Sequence, residues 1–501
     1  MKRYLFSLLA LALAAAPRLQ AQTDNPDTPE ADAFTAMERR LAAPEYKTKY
    51  KKQAVAKEYY FRVYLHDKKQ SPYSTSRPEE FLSPKALARR AKFGIKADRH
   101  DLPVSPAYLR RLTETSRGRV HNVSKWLNTA VIALGDTTCL DAVRSLAFVD
   151  SLCKVHETPD SVRTVVSRPD RRVWLADSLD MATLAFPQSL CPKGYYGWST
   201  NQVEMLGVDR LHEAGFRGKG VEIAIIDGGF YNADIIPGLA HCPILGIKNF
   251  AKPGENTYED NTHGMNVLSC IGALEPEKLV GTAPEASFYL LQSEVVETET
   301  QIEEDNWCAA IEYADSVGAD IVTSSLGYYS FDDAAMNHVY EDLDGHTAQI
   351  SREASLAAGR GLLLLNSAGN SGNDPWKKIG FPADATDMLT VGAVDSDGQN
   401  ANFSSIGNTA DGRIKPDVMA QGEYAFGYSR GGHPSSLNGT SFSTPILCGG
   451  VACLMQAYPK LKPTEIIRIV RQAGDRSRRP NNIYGYGIPN LYDAYQSLRK
   501  K

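Results

Sequence analysis

The chain has 501 residues, enough for two or three domains with a sizeable core, and 43% of its residues are hydrophobic while 23% are charged. These values are typical of a soluble globular protein. The formal net charge of −4 gives no reason to expect a nucleic-acid partner. Two short basic clusters, Arg89–Arg90 and Arg476–Arg479, are interpreted as solvated charges.

The N-terminus has the pattern of an export signal over residues 1–21. Lys2 and Arg3 precede an apolar stretch at 4–16, and Ala21 is a candidate cleavage point. The stretch is short for a membrane span and polar residues follow it at once. We therefore expect an exported protein, secreted or periplasmic, with no membrane span after signal removal. An uncleaved anchor is the alternative.

A small α+β domain is predicted at 57–157, after a polar leader at 22–56 that has a short helix near 31–42. Strand patterns occur at 59–65, 128–134 and 148–156, and helix patterns at 83–94 and 140–146. Residues 158–198 are rich in proline, contain the pair Arg171–Arg172, and are predicted to be a linker that includes the maturation region.

From 199 to 501 the pattern changes to strands that alternate with helices. Apolar runs without alternation, typical of strands buried on both faces, occur at 221–227, 287–292, 319–326, 362–368 and 388–394. A helix is predicted over 302–317. This pattern predicts an α/β fold with a mostly parallel sheet and helices on both faces. We expect no further domain after it.

Three segments of this second part carry residues that can activate a nucleophile. Asp227 ends an apolar strand, His263 precedes a helical pattern, and Ser441 lies in NGTSFSTP, where a helix with Pro445 in its first turn begins. A serine hydroxyl needs a nearby base, and the base needs an acid that orients it and stabilises its cation. Asp, His and Ser supply these three roles.

Residues roughly 200–495 resemble the catalytic domain of the subtilisin-like serine proteases, the subtilases. The order Asp, His, Ser and a fourth motif, LLLLNSAGNSG at 362–372, carry the resemblance. It implies that Asn370 donates its amide to the oxyanion. It also implies that Ser325, Leu326 and Gly327 pair with an extended substrate, and that a wall of the first specificity pocket is formed by Ala368 and Gly369.

The chain departs from the family pattern at three places. Gly228 replaces a small hydroxyl residue after the catalytic Asp, which removes one hydrogen bond to that carboxylate. Asp260 and Asn261 replace a histidine and a glycine before the catalytic His, and Phe442–Ser443 replace Met-Ala after the catalytic Ser. No acidic residue is obviously placed to select Lys or Arg; Asp332 and Asp333 are near in sequence, but their direction is not readable.

The resemblance predicts a serine endopeptidase that acts on protein or peptide substrates through an acyl-enzyme. By position and size, the domain at 57–157 resembles the propeptide of the family, which acts as an intramolecular inhibitor; an ordinary accessory domain is the alternative. A non-catalytic peptide-binding protein and an esterase or acyl transferase are the rival functions. The chemistry requires no cofactor. Structural calcium and other metal sites are not readable from the sequence.

The eight cysteines show no CxxC pair, so a structural zinc site is not expected. Four of them lie in apolar helical patterns and are predicted to be buried thiols: Cys270, Cys308, Cys448 and Cys453. Because export permits disulfides, Cys139 with Cys153 and Cys191 with Cys242 are candidate pairs.

Overall fold

The computed structural model describes residues 56–158 and 190–499, and the backbone alone of residues 49–54 and 162–167. The predicted export signal, the short helix near 31–42 and most of the predicted linker lie outside these residues. Among the described helices, none is long and apolar enough to cross a bilayer.

In the first part of the chain, the described residues form six strands and three α-helices. The strands are β1 (Lys49–Ala54), β2 (Tyr59–Leu65), β3 (Arg119–Ser124), β4 (Thr129–Leu134), β5 (Val149–Glu157) and β6 (Val162–Ser167). The helices are α1 (Pro84–Phe93), α2 (Pro106–Ser116) and α3 (Leu140–Arg144).

Strands β1 and β6 form a two-stranded antiparallel sheet. They lie inside the segments that the sequence analysis assigned to a leader and a linker, so those segments are not free of strand structure. A scan for local patterns misses such a pair because its two strands are far apart in sequence and each is short.

The strands from β2 to β5 form a separate antiparallel sheet in the order β3-β4-β2-β5. The predicted strands and helices of this domain are confirmed, including the cap of α1, where the Ser83 hydroxyl accepts a hydrogen bond from the Ala86 N–H (3.1 Å). Helix α2 and strand β3 were not predicted. The sequence of β3, RVHNVS, has polar residues on both faces and gives a weak strand signal.

The second part is built from eleven strands and eight helices. The strands are β7 (Glu222–Asp227), β8 (Ile244–Asn249), β9 (Leu274–Glu275), β10 (Leu279–Val280), β11 (Ser287–Gln292), β12 (Ile321–Ser324), β13 (Leu363–Ser367), β14 (Met388–Val394), β15 (Val418–Gln421), β16 (Ala425–Tyr428) and β17 (Pro434–Leu437). The α-helices are α4 (Thr200–Glu204), α5 (Val208–Glu213), α6 (His263–Gly272), α7 (Ile302–Val317), α8 (Gln349–Ala358), α9 (Thr440–Ala457), α10 (Pro463–Gln472) and α11 (Leu491–Arg499).

Seven of these strands form one sheet in the order β15-β14-β13-β12-β7-β11-β8, and every neighbouring pair is parallel. The predicted α/β fold is therefore confirmed. Ala224 and Ile226 of β7 pack in one core with Trp307 of α7. Because successive strand residues point to opposite faces, Ile223 and Ile225 face the other side, where α6 and α9 lie.

The four-stranded sheet buries both of its faces. One face packs against α2 and α3 through residues such as Val63 and Leu112. The other face places Tyr60, Val131 and Val155 in contact with Ile302, the first residue of α7. The N-terminal domain therefore docks on the second domain through its sheet.

Buried ion pairs join the two domains at this interface. Arg62 donates two hydrogen bonds to Asp305 (2.7 and 2.8 Å), and Asp315 accepts hydrogen bonds from Arg89 and Arg90. The prediction that Arg89–Arg90 is a solvated cluster is wrong, because both side chains are almost completely buried against the acidic residues of α7. Burial of this kind depends on Asp315, which is more than 200 residues away, so the sequence near Arg89 and Arg90 carries no signal of it.

The predicted buried thiols are confirmed at all four positions. Neither candidate disulfide is formed: Cys139 and Cys153 are separate thiols, and the buried Cys242 thiol donates to the Gly272 carbonyl (3.3 Å). The even number of cysteines was therefore no guide to pairing in this chain.

Candidate active site

Asp227 lies at the carboxyl end of β7 and is completely buried. Open α/β sheets bind their ligands at this end of the strands. Its Oδ1 accepts a hydrogen bond from the Gly228 N–H (2.7 Å), whereas Oδ2 has no hydrogen-bond partner among the described residues. Gly228, which follows this Asp, has no hydroxyl that could donate to Oδ2.

His263 is the first residue of α6, and its imidazole reaches Asp227 from that helix. The helix approaches β7 closely at Gly264, whose N–H donates to the Gly229 carbonyl (2.9 Å). A Cβ at Gly264 would lie 2.5 Å from the Gly229 oxygen and 2.9 Å from the Asp227 Cβ. Glycine is therefore required there for His263 to approach Asp227.

The Asp227 and His263 side chains are in direct contact, with 2.7 Å between Oδ1 and Nδ1. Burial alone would lower the pKa of His263, but the Asp227 carboxylate, through its charge and its hydrogen bond, raises that pKa above its usual value. Glu294 adds to the same effect. The ring therefore has one nitrogen fixed by a carboxylate and the other available for proton transfer.

Ser441 lies in the first turn of α9 and is 7% exposed. Its hydroxyl donates to the Ser325 carbonyl (3.2 Å), and the Ser325 hydroxyl donates to the Ser441 carbonyl (2.8 Å). Within the described part of the chain, no hydrogen bond joins the Ser441 hydroxyl to the His263 ring. The ring of Phe442, the next residue, lies 5.7 Å from the His263 ring between centroids, so the two segments are adjacent.

Asn370 follows β13 and is oriented by Thr440. Its Oδ1 accepts hydrogen bonds from both the N–H and the hydroxyl of Thr440 (2.9 Å each). The amide Nδ2 consequently points the other way. A Cβ built on Gly439, which has a φ of +151°, would lie 3.5 Å from this Nδ2 and 3.6 Å from the Ser441 nitrogen. Both N–H groups therefore border the same space.

The segment from Ser325 to Gly327 follows directly after β12. Leu326 is half-buried and its carbonyl accepts from Asn366 (2.9 Å), whereas Gly327 is exposed. The backbone N–H and C=O of Gly327 make no hydrogen bond to the described residues. They are free to pair with an extended chain.

Ala368 and Gly369 form the turn after β13. Ala368 is buried and its carbonyl accepts from the Gly380 N–H (3.1 Å). Gly369 has a φ of +103°, a conformation that favours glycine, and its N–H donates to the Thr440 hydroxyl (3.1 Å). The structure thus brings this turn to the start of α9, next to Ser441.

The direction of Asp332, which the sequence left open, is toward the loop before α7. Its backbone N–H donates to the Glu299 carbonyl (2.8 Å), and its carboxylate accepts from the Glu299 N–H (3.1 Å). Asp333 instead caps a short turn through the Ala335 N–H (3.0 Å). No three His, Cys, Asp or Glu side chains of the described residues are grouped so that they could hold a metal ion.

Three residues near the site were missed by sequence reasoning. Thr440 orients Asn370, and it could have been found because it lies in the motif before Ser441. Glu294 and Tyr328 are bonded to each other beside Asp227, since the Tyr328 hydroxyl donates to the Glu294 carboxylate. They carry no local signal, because the two residues belong to loops after different strands.

Comparison with known proteins identifies relatives of both domains. A family model described as the subtilase family matches residues 218–487, and one described as the Peptidase S8 propeptide domain, Bacteroidota, matches residues 60–169. Subtilisin DY of Bacillus licheniformis is 27% identical over 296 residues, which are 59% of this chain and 97% of that protein. Subtilisin NAT of Bacillus subtilis subsp. natto is 30% identical over 299 residues, which are 59% and 70% of the two chains.

Solved structures are also similar to this chain. The crystal structure of MycP1 with the N-terminal propeptide removed matches with a TM-score of 0.48 and 22% sequence identity. The match covers 59% of this chain and 96% of that one.

Proposed function

Because this chain belongs to the subtilase family and is a serine-type endopeptidase made with a propeptide, we propose that Asp227, His263 and Ser441 are its catalytic triad. The contact of 2.7 Å between Asp227 and His263 is the observation that supports this assignment most directly. It supplies a base of fixed orientation next to a serine in the first turn of a helix.

Catalysis then proceeds through an acyl-enzyme. A rotation about χ1 takes the Ser441 hydroxyl from the Ser325 carbonyl to the free nitrogen of His263. His263 accepts the proton as Ser441 attacks the scissile carbonyl, and it later protonates the leaving amine. Asp227 stabilises the imidazolium throughout. Water hydrolyses the acyl-enzyme by the same route.

The tetrahedral intermediate is stabilised by two N–H donors. These are the Asn370 amide and the backbone N–H of Ser441, which border one space beside Gly439. The positive end of the α9 dipole contributes in the same direction. Since Thr440 holds the Asn370 oxygen, the amide is oriented before substrate binds.

The substrate binds as an added strand. The free backbone groups of Gly327 support this role, together with the half-buried Leu326 and the exposed edge at this point of the chain. Ala368 and Gly369 form the wall of the first specificity pocket. The side chain of Ser325 has a different role, because its hydroxyl holds the backbone of Ser441.

The domain at 57–157 acts as an intramolecular inhibitor and is removed by cleavage in the region 158–198. The buried ion pairs that join it to α7 support tight docking before cleavage. We further propose that residues 1–21 direct export and that the mature enzyme is secreted or periplasmic. A non-catalytic relative is expected to lack one of the triad residues, whereas Asp227, His263 and Ser441 are all present here, and no observation favours the peptide-binding or esterase alternatives.

Intact mass and N-terminal sequencing of the wild type beside Ser441→Ala test this function. The wild type is expected to lose roughly the first 160–200 residues, the length that the linker prediction gives. Ser441→Ala is expected to lose the export signal alone. If both proteins keep the N-terminal domain at varied pH and calcium concentration, self-maturation is wrong. Failure of the wild type to react with a fluorophosphonate at Ser441, after an added protease has removed the N-terminal domain, would then contradict the triad itself.

A further inference from the structure

Glu294 lies beside the proposed triad and has no part in the mechanism above. It follows β11, the strand next to β7, and in the parallel register of these strands Gln292 pairs with Asp227. Glu294 is therefore two residues beyond the level of Asp227 at the same edge of the sheet. This edge is where the triad is assembled.

Gly228, the residue that follows Asp227, lies within van der Waals reach of Glu294. A Cβ built on Gly228 would lie 3.6 Å from both the Cβ and the Cγ of Glu294. The half-buried Glu294 side chain thus packs over the residue that follows Asp227. The neighbouring Asp227 carboxylate has a buried Oδ2 without a hydrogen-bond partner among the described residues.

Hydrogen bonds hold the Glu294 carboxyl in this position. Its Oε1 accepts from the buried Tyr328 hydroxyl and from the Ser293 hydroxyl (3.5 Å). The charged groups that face it are Asp227 at the end of β7 and His263 at the start of α6. Glu299 on the following loop and Glu303 in α7 are further carboxyl groups that interact electrostatically with Glu294.

We propose that Glu294 is a positioning residue of the active site, a second carboxylate that stabilises the His263 imidazolium formed during catalysis. The inference rests on the proposed triad. Two negative charges near one imidazole favour its protonated form more than one charge does. Such a group accelerates acylation because the imidazolium develops in the transition state and not in the ground state.

The titration of Glu294 should be visible in the pH profile of kcat/KM. Burial, together with the charge of Asp227, raises the pKa of Glu294 to about 7, although the Tyr328 hydrogen bond and His263 act in the opposite direction. Below this pH the carboxyl is neutral and its contribution is lost. The acid side of the kcat/KM profile should therefore contain two ionisations, one of Glu294 and one of His263.

The test is the pH profile of kcat/KM from pH 5 to 10, measured with an uncharged chromogenic peptide on the matured enzyme. Glu294→Gln is expected to show one ionisation on the acid side in place of two. That ionisation, of His263, should lie at lower pH, and the plateau of kcat/KM should be about threefold to tenfold lower than in the wild type. Glu294→Asp keeps a carboxylate and should retain both ionisations. The matched control is Glu297→Gln, which removes an exposed carboxylate of the same loop that pairs with Lys252.

Tyr328→Phe gives an independent readout if Glu294→Gln does not mature. It removes the hydrogen bond that favours ionised Glu294, so the second ionisation should move to higher pH. If the pH profile of Tyr328→Phe is identical to that of the wild type, the proposal is overturned. The proposal is also overturned if the pH profile of Glu294→Gln, scaled to the same plateau, superimposes on that of the wild type. A loss confined to the KM of peptides with Lys or Arg also overturns it, because Glu294 would then bind substrate.

The two proposals fail in different ways. An inactive wild type that does not react at Ser441 contradicts the triad, whatever the state of Glu294. An active wild type whose acid limb is insensitive to Glu294 leaves the triad intact and contradicts this inference alone.

Discussion

At the residue scale, the site depends on a carboxylate that is buried with only part of its hydrogen-bonding capacity used. The Oδ1 atom of Asp227 accepts hydrogen bonds from the His263 ring and from the Gly228 N–H, whereas Oδ2 has no hydrogen-bond partner among the described residues. A charge in this setting is stable because it is next to a group that becomes cationic. Its role should therefore be visible in kcat more than in stability.

Asp227→Asn is expected to lower kcat by about 10⁴-fold, the loss that the same change causes in a related triad. The amide keeps the shape of the carboxylate but lacks its charge and favours the wrong imidazole tautomer. Steady-state kinetics on a chromogenic peptide measures the loss, and thermal unfolding serves as the control for folding. A loss smaller than tenfold would contradict the assignment of Asp227.

Thr440→Val should lower kcat by roughly tenfold with little change in KM. The substitution removes the hydroxyl that donates to Asn370 Oδ1 and accepts from the Gly369 N–H, so the Thr440 backbone N–H alone is left to orient the amide. Thr440→Ser keeps the hydroxyl and is the matched control. If Thr440→Val and Thr440→Ser have equal kcat, the hydroxyl does not orient Asn370.

Asn370→Ala should lower kcat by about 10²–10³-fold, as expected for loss of an oxyanion donor.

At the element scale, the geometry of the proposed triad depends on how closely α6 approaches β7. The helix begins at His263, and the contact of Gly264 with the loop after β7 leaves no space for a side chain. Helix α9 makes the corresponding approach to β12 through the reciprocal hydrogen bonds of Ser325 and Ser441. The site is thus formed where two helix N-termini meet the carboxyl ends of two strands.

Gly264→Ala tests this approach. The added Cβ would lie 2.5 Å from the Gly229 carbonyl oxygen, so α6 must move away and His263 with it. We expect at least a hundredfold loss of kcat/KM, since a shift of about 1 Å at the reacting groups can cost this much. Gly228→Ala is the control, because its Cβ meets only ordinary contacts at 3.6 Å and its φ is not positive. Equal activity of the two variants would show that α6 tolerates the displacement.

At the scale of the whole molecule, the N-terminal domain is held by polar groups that are buried between two domains. Glu312 of α7 accepts hydrogen bonds from the Ser124 hydroxyl (2.8 Å), the Lys125 N–H (2.9 Å) and the Trp126 N–H (3.0 Å). Removal of one partner of such a contact leaves the other buried without compensation. The strength of docking should therefore respond to charge changes at the interface.

His121 makes this response dependent on pH. Its ring contacts Asn306 (Nε2 to Oδ1, 3.1 Å), and burial lowers its pKa to about 4. Because the docked domain binds this proton less readily than the released domain, docking should weaken as pH falls from about 6.5 toward 4, by roughly thirtyfold at pH 5. Incubation of the full-length precursor at pH 5 or 7.5, followed by assay at pH 8, measures how fast activity appears.

His121→Gln is the control variant for this effect, since it keeps a hydrogen-bond donor for Asn306 but has no titrating group. It should reduce the acceleration at pH 5 to below threefold. His156 also has a pKa lowered by burial and is expected to account for the remainder. An unchanged acceleration in His121→Gln would exclude His121 as its source.

Local patterns were sufficient to predict the α/β class and the bounds of elements such as β11 and α7, because buried parallel strands and amphipathic helices have signatures within a few residues. They were also sufficient to propose Asp227, His263 and Ser441 as one site. The tertiary structure alone decided that the acidic face of α7 buries Arg89 and Arg90, that no bridge joins Cys139 to Cys153, and that Glu294 lies over Gly228. Each of these features depends on segments that are distant in sequence. The free energy of burying a charge, and the distance between two cysteines, are determined by residues that come together only in the folded chain.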